Sequence, residues 1–152
     1  MGGFMDFLGG HLDTIYRLGI AAVLGGLIGI ERELHGKTAG FRTHALVALG
    51  SALFMLVSIA VFEAYQGRAE VDPARIAAQV VTGVGFLGAG AIIRSSAGIK
   101  GLTTAAGLWT ASAIGLASGL GTFHIAFAGT AIALVVLVFF SWLGRRWGAR
   151  DI

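Results

Sequence analysis

The chain has 152 residues, of which 56% are hydrophobic and 12% are charged, and its mean hydropathy is +0.83. Because soluble domains usually carry about 25% charged residues, this composition excludes an ordinary soluble protein and indicates a membrane protein. The net charge of +3 comes from basic residues in short segments beside apolar runs, which indicates membrane orientation and no nucleic-acid partner.

Apolar runs between charged residues predict five membrane-spanning helices, since one crossing needs about 20 apolar residues. The predicted spans lie at about 16–34, 44–63, 73–93, 102–118 and 122–143. Asp6 and Asp13 precede the first basic residue, unlike in a cleavable signal peptide, so the first helix is expected to remain. The predicted fold class is all-α, a polytopic transmembrane bundle forming a single domain over residues 1–152.

The apolar part of the first predicted span is short, because the 13 residues from Leu18 to Ile30 give roughly 20 Å of helix against a hydrocarbon core of about 30 Å. Arg17 can extend outward on its long stem, but Glu31 lies at a helix C-terminus, where the helix dipole disfavours a negative charge. Glu31 should therefore seek a cation, and Arg32, Arg42 and His44 are nearby in sequence. We predict that it pairs with Arg94, at the end of the third span. A solvated loop carboxylate is the alternative.

Two stretches mark helix boundaries. In "VDPAR", Asp72 can accept hydrogen bonds from free amides and Pro73 suits the first helical position, which predicts the start of the third helix. In "SGLGT", residues 118–122, glycine, serine and threonine favour a turn that divides the long apolar run after Leu102 into two helices.

Lysine and arginine are distributed unequally between the two predicted sides of the membrane. One side has Arg32, Lys37, Arg42, Arg94, Lys100, Arg145, Arg146 and Arg150, and the other has Arg17, Arg68 and Arg75. The positive-inside rule therefore places the C-terminus in the cytoplasm and the N-terminus outside.

Rows of small residues at four-residue spacing predict close helix packing. The rows are Ala21, Gly25 and Gly29; Ala77, Val81, Gly85 and Ala89; and Gly107, Ala111, Gly115 and Gly119. Gly88 lies in the glycine-rich stretch 82–93, which is interpreted as a packing surface, with a broken helix lining a cavity as the alternative. The long row on the fourth helix predicts self-association into a homo-oligomer.

A weak internal repeat relates residues 40–52 to residues 101–113, which share five identities, and "GLIG" (26–29) to "GFLG" (85–88). These matches predict a duplicated two-helix unit, with the fifth helix as an addition. A bias towards small residues is the alternative explanation.

The sequence gives no sign of an enzyme, since it has no cysteine, nucleophile elbow, phosphate-binding loop or zinc motif, and its four histidines are scattered. We expect no catalytic residues and no cofactor, and no metal site can be assigned. Near the middle of the predicted spans there is no Asp or Glu, so a carboxylate-lined magnesium path is not expected. Glycine-rich backbone exposing carbonyls keeps ion transport as the alternative.

The predicted functional site is a polar cluster on the cytoplasmic side, where two loops each lead into a helix whose free amides attract anions. Its members are Glu31, Arg32, Lys37, Arg42, Thr43, His44, Arg94, Lys100, Thr103 and Thr104. The expected ligands are lipid headgroups or an acidic segment of a partner. Ordinary threonine capping together with topogenic charge is the alternative.

Three stretches carry a family resemblance: "GGLIGIEREL" with "GKTAGFRTHALVALGSALF", "DPARIAAQVVTGVGFLGAGAIIR", and "KGLTTAAGLWTASAIGLASG". In this order they resemble the MgtC/SapB family of bacterial membrane proteins over roughly residues 14–122, with an additional helix at about 122–143. Thr82 stands where the family pattern often has serine. Longer members append a cytoplasmic soluble domain, which is not expected here because the chain stops at Ile152.

This resemblance implies a bacterial inner-membrane protein linked to adaptation to low magnesium and to virulence-associated survival inside host cells. The implied role is regulatory, through contacts in the lipid bilayer with other membrane proteins such as the proton-driven ATP synthase. The alternative is a transporter or channel for magnesium or another small ion.

Overall fold

The structure is a computed structural model that describes residues 2–67, 70–96 and 98–146. It contains α1 (Gly2–Leu34), α2 (Phe41–Tyr65), α3 (Arg75–Ala91), β1 (Ile93–Ser95), β2 (Gly98–Lys100), α4 (Leu102–Leu120) and α5 (Phe123–Arg146). The predicted helical fold class is confirmed. Of the basic residues counted above, Arg68, Arg150 and the side chain of Arg145 lie outside the described part of the chain.

Within the described part of the chain, three helices are long and apolar enough to cross a membrane: Gly10–Leu34 within α1, all of α2, and Phe123–Gly144 within α5. The apolar helix α3 has 17 residues, or about 26 Å, which is less than the hydrocarbon thickness of about 30 Å. Helix α4 has 19 residues but is rich in glycine, serine and threonine. All five predicted spans therefore correspond to helices, and three of these meet the length and hydropathy expected of a span.

Helix α1 begins at Gly2, before the predicted start near residue 16, and its candidate membrane span is Gly10–Leu34. The helix continues through the polar residues because Arg17 forms an ion pair with Asp13 one turn earlier, with 2.6 Å between Nε and Oδ2. Arg17 also donates from Nη1 to the carbonyl of Gly119, at 3.0 Å. The side chain of Arg17 thus lies against the C-terminal end of α4 and does not extend outward.

The two predicted helix boundaries are close to the observed ones. The Asp72 carboxylate accepts a hydrogen bond from the amide of Ala74 at 2.8 Å, and α3 begins at the next residue, Arg75. Between α4 and α5, Gly121 has φ +86°, a left-handed conformation that glycine adopts without strain. The predicted turn in "SGLGT" is confirmed.

The hairpin between α3 and α4 was not predicted. Helix α3 ends at Ala91, and the chain then forms two three-residue strands in which Ile93 pairs with Lys100 and Arg94 with Ile99. Gly101 follows with φ +91°, so the chain can turn directly into α4. The expected span 73–93 is therefore shorter than predicted, and its last residues form an exposed hairpin.

Helix α4 lies at the centre of the bundle and packs against α1, α2, α3 and α5. Its small-residue row approaches α2: a Cβ added at Gly107 would lie 3.1 Å from Nε2 of His44, and one at Gly115 would overlap the carbonyl oxygen of Ala48. Ala111, in the same row, is completely buried. This corrects the prediction that the row forms a homo-oligomer interface, because the row is used inside one chain.

The row on α1 packs against the start of α2. A Cβ added at Gly25 would lie 2.6 Å from Cβ of Ala48, and one at Gly29 would lie 2.6 Å from Cα of Phe41. Only glycine permits this approach of the two backbones. The apolar core is formed by α1, α4 and α5, and its buried members are Leu24, Ile28, Ile114, Ala126 and Leu137.

The predicted row on α3 differs from the observed packing face. Gly88 lies near Ala105 of α4, at 3.6 Å from an added Cβ, but an added Cβ at Gly85 would meet no atom within 4 Å. The buried residues of α3 are Ala77, Val80, Val84 and Gly88. An α-helix has 3.6 residues per turn, so positions exactly four residues apart gradually move around the helix. The later positions of the predicted row therefore turn away from the buried face of α3.

Candidate functional site

The end of α1 contains a buried ion pair between neighbouring residues. Arg32 donates from Nε to Oε2 of Glu31 at 2.5 Å and from Nη2 to Oε1 at 2.8 Å. Arg32 is only 1% exposed and Glu31 7% exposed. Because a buried charge is costly unless it is paired and hydrogen-bonded, each of these side chains requires the other.

The pairing of Glu31 with Arg94 that we predicted is wrong within this chain. Arg94 lies on the exposed strand β1, because α3 ends before it and the chain turns outward into the hairpin. The partner of Glu31 is the residue that follows it. Sequence spacing disfavoured this pair, since adjacent helical residues do not face each other, and the long arginine side chain overcomes that geometry.

His35 adds a further contact to the buried carboxylate. Its Nδ1 lies 2.9 Å from the backbone carbonyl of Glu31 and 3.1 Å from Oε1 of the same residue. His35 follows the last residue of α1, and the same carbonyl also accepts its backbone amide at 3.2 Å, so both the ring and the backbone of His35 contact Glu31. The contact joins the end of α1 to the loop that follows.

His44 links the same region to the bundle centre. It is completely buried in the first turn of α2, and its Nδ1 donates to the carbonyl of Gly40 at 3.0 Å. Its Nε2 is buried without a hydrogen-bond partner in the described part of the chain and points towards Gly107. Because Gly107 lacks a side chain, α4 leaves space for the imidazole. Thr104, one turn earlier on α4, is also buried.

The remaining members of the predicted cluster lie on the surface. Those in the loop before α2 and in its first turn are Lys37, Arg42 and Thr43, and those on the hairpin and at the start of α4 are Arg94, Lys100 and Thr103. Lys37 is half-buried and the other five are exposed. The structure therefore separates the ten residues into an internal set (Glu31, Arg32, His44, Thr104) and an exposed, mostly basic set.

Glu33 is a structural residue that the sequence analysis missed. Its Oε2 accepts a hydrogen bond from the amide of Phe41 at 2.8 Å, which stabilises the first turn of α2. Gly40, the residue before that turn, has no side chain with which to cap it. A helix start without its own capping side chain was the available signal, but the carboxylate that supplies the cap lies eight residues away.

Comparisons with known proteins give a consistent result. The model of the MgtC family matches residues 18–146. The chain is 50% identical over 136 residues to "Putative magnesium transporter YhiD" of Escherichia coli K12, covering 88% of this chain and 63% of that protein. It is 42% identical over 140 residues to Protein SapB of Bacillus subtilis, covering 90% and 60% of the two chains.

A third relative is Protein MgtC of Salmonella typhimurium, 48% identical over 120 residues, which are 79% of this chain and 49% of that protein. The chain thus spans between about half and nearly two thirds of the length of these relatives. No solved structure matches. All ten residues of the predicted polar cluster lie within the region that the family model matches.

Proposed function

This chain belongs to the MgtC family, and on that premise we propose that it is a regulatory inner-membrane protein that acts by contacting other membrane proteins under magnesium limitation. Its C-terminus and the exposed basic set face the cytoplasm in this proposal, and its N-terminus lies outside. These features are supported by the family membership, by three helices suited to membrane crossing, and by the distribution of lysine and arginine.

The buried pair of Glu31 and Arg32 is the observation that carries the proposal. Both oxygens of this carboxylate accept hydrogen bonds from the guanidinium, so they are occupied inside the protein. Magnesium binds through oxygen ligands and gives up its water reluctantly, so it would have to displace Arg32 into an apolar interior. The pair therefore favours a structural support for the adjoining loop over an ion-conducting ligand.

The exposed basic set supplies the surface on which a partner would dock. Arg42 and Thr43 begin α2, while Lys100 and Thr103 flank the start of α4, and both helices start at the same end of the bundle. Complementary charges between two proteins give specificity and faster association. The buried pair would hold the exposed charges in a fixed position for such recognition. An acidic cytoplasmic segment of another membrane protein fits this surface.

Magnesium transport is the second candidate, because the name of the Escherichia coli relative refers to it. The two candidates are separated by magnesium and proton flux into proteoliposomes containing the purified, folded protein. The regulatory proposal predicts no flux of either ion above that of protein-free vesicles. Transport would be established instead by a protein-dependent magnesium flux with two properties. It would be lost in the double variant Glu31→Gln with Arg32→Met, and it would be kept in the control variant Glu63→Gln.

Partner contact is tested in cells grown in limiting magnesium by placing a photo-crosslinking amino acid at Thr43 or Thr103. Regulation predicts that the same membrane protein is captured from both sites. Gln66, exposed at the opposite end of α2, is the matched control and is expected to capture nothing in common with them. Failure at both sites, in cells whose growth depends on the protein, would contradict the proposal.

A further inference from the structure

A groove of about 850 Å³ opens between α2 and α3, on a different face of the bundle from the apolar core. Its walls are apolar and consist of Leu46, Val47 and Phe54 from α2 and Val80, Val84 and Leu87 from α3. Volumes of about 300–1,000 Å³ are typical of sites that hold a small molecule or a cofactor. The groove therefore has the size of a ligand site.

Two glycines make the groove wide. Gly50 on α2 and Gly83 on α3 both line it, and a Cβ added at either would meet no atom within 4 Å. In membrane helices, glycine usually allows two backbones to approach closely, as Gly25 and Gly29 do here. Helices α2 and α3 pack against each other elsewhere, but the space beside Gly50 and Gly83 is unfilled and is available to an occupant.

One end of the groove is cationic. Arg42 and Thr43 line that end, both are exposed, and Arg42 forms no ion pair with any residue that the structure describes. The hairpin that carries Arg94 and Lys100 follows α3 at this same end of the bundle. Two other polar residues line the groove. The hydroxyl of Ser51 donates a hydrogen bond to the carbonyl of Val47, and Gln79 lies towards the end of the groove away from Arg42.

The length of the groove distinguishes between possible occupants. Phe54 lies 12 positions after Arg42 on α2, or about 18 Å along the helix. One leaflet of the hydrocarbon core is about 15 Å thick, half of the whole core of about 30 Å. A transmembrane helix would need a groove that crosses both leaflets. A lipid, with its headgroup at one end and its chains reaching the middle of the bilayer, fits the observed length.

We propose that this groove binds one anionic phospholipid, with its phosphate at Arg42 and Thr43 and its acyl chains between α2 and α3. Basic pockets between transmembrane helices bind anionic headgroups, and a guanidinium pairs with phosphate through two parallel hydrogen bonds. Arg42 and Thr43 also belong to the exposed basic set proposed as the docking surface. Lipid binding is measured on the purified protein without a partner, so its outcome is independent of whether the protein regulates a partner or transports an ion.

The headgroup contact is tested by native mass spectrometry of the purified protein titrated with phosphatidylglycerol or phosphatidylcholine. The protein is expected to retain one phosphatidylglycerol in preference to phosphatidylcholine. Arg42→Gln should weaken the phosphatidylglycerol complex about fivefold, which corresponds to about 1 kcal/mol for one basic residue, and leave phosphatidylcholine unchanged. Arg75→Gln removes the same charge from the opposite end of α3 and should have no effect.

The position of the chains is tested by filling the groove. Gly83→Leu should abolish the retained phosphatidylglycerol, whereas Gly85→Leu, two residues along α3 and outside the groove lining, should keep it. Gly50→Leu fills the same groove from α2 and serves if Gly83→Leu does not fold. Equal retention of both lipids, or phosphatidylglycerol that survives both fillings, would overturn the proposal. So would a polypeptide, in place of lipid, crosslinked to Leu87→Cys.

Discussion

Among single residues, Glu31 is the one whose partner could not be identified without the structure. It accepts two hydrogen bonds from Arg32 in an environment where neither charge reaches water. Replacing a whole buried pair by apolar groups is often tolerated, but removing one partner leaves an uncompensated charge and costs about 3–5 kcal/mol. The two residues therefore act on stability as one unit.

This gives a prediction for a double-mutant cycle on the free energy of unfolding in detergent. Glu31→Gln and Arg32→Met alone should each destabilise the protein by about 3–5 kcal/mol. Together they should destabilise it by no more than either substitution alone, which requires a coupling energy of at least about 3 kcal/mol.

The matched control is a cycle between Glu31→Gln and Arg94→Gln. Because Arg94 is exposed on the hairpin, its effects should add to those of Glu31→Gln within about 0.5 kcal/mol. Coupling of Glu31 to Arg94 but not to Arg32 would mean that the pair observed here is not the one formed in the membrane.

At the scale of helices, small residues serve two opposite purposes. Gly115 and Gly119 bring α4 against the backbone of α2, whereas Gly50 and Gly83 leave open space in the groove between α2 and α3. In the sequence, the glycines of α4 and those of α2 and α3 stand in similar apolar surroundings. What differs is whether another helix faces the glycine, and α4 differs from α3 in being packed against all four other helices.

We predict different outcomes for the same substitution on these two helices. Gly115→Leu should prevent stable folding, because even its Cβ would overlap the backbone of Ala48. Gly85→Leu should leave the unfolding temperature nearly unchanged, since it extends into open space. Thermal unfolding in detergent, followed by circular dichroism, measures both.

An oligomer that is lost in Gly115→Leu while the monomer keeps its stability would contradict the packing of α4 inside one chain. Self-association itself stays a prediction. The exposed apolar residues of α5, such as Ile132, Val135 and Phe139, offer a surface for it that is independent of the α4 row.

At the scale of the whole molecule, the buried pair, the exposed basic set and the cationic end of the groove all lie at one end of the bundle. The loop after α1 and the hairpin after α3 meet there, because successive helices reverse direction and α2 and α4 start at the same end. The opposite end carries Gln66, the start of α3, and the turn between α4 and α5.

The orientation of these two ends can be measured directly, because the natural chain contains no cysteine. Thr38→Cys and Gln66→Cys each place one thiol at an exposed position at opposite ends of α2. A membrane-impermeant maleimide added to intact spheroplasts should label Gln66→Cys, and should label Thr38→Cys only after permeabilisation. The reverse pattern would place the basic set outside the cell and contradict the proposed cytoplasmic contacts.

The membrane class, the five helices and the turn at Gly121 were predictable from the sequence, because apolar runs and turn-forming residues act through local chemistry, and the family was identified from its motifs. The sequence also showed in which segments the charged residues are concentrated. The position of the first helix start and the α3 hairpin were missed, since short polar segments depend on contacts such as that of Arg17 with Gly119.

Three features became known from the packing of the helices: which charge Glu31 pairs with, which glycines face another helix, and where a groove remains open. These features depend on the direction of side chains and on the distance between helices far apart in the chain. Hydrophobic burial in a membrane selects helices strongly but selects their neighbours weakly, because lipid is as apolar as the side chains that compete with it. Helix neighbours are set by close packing and buried polar pairs, and neither can be read from residue spacing alone.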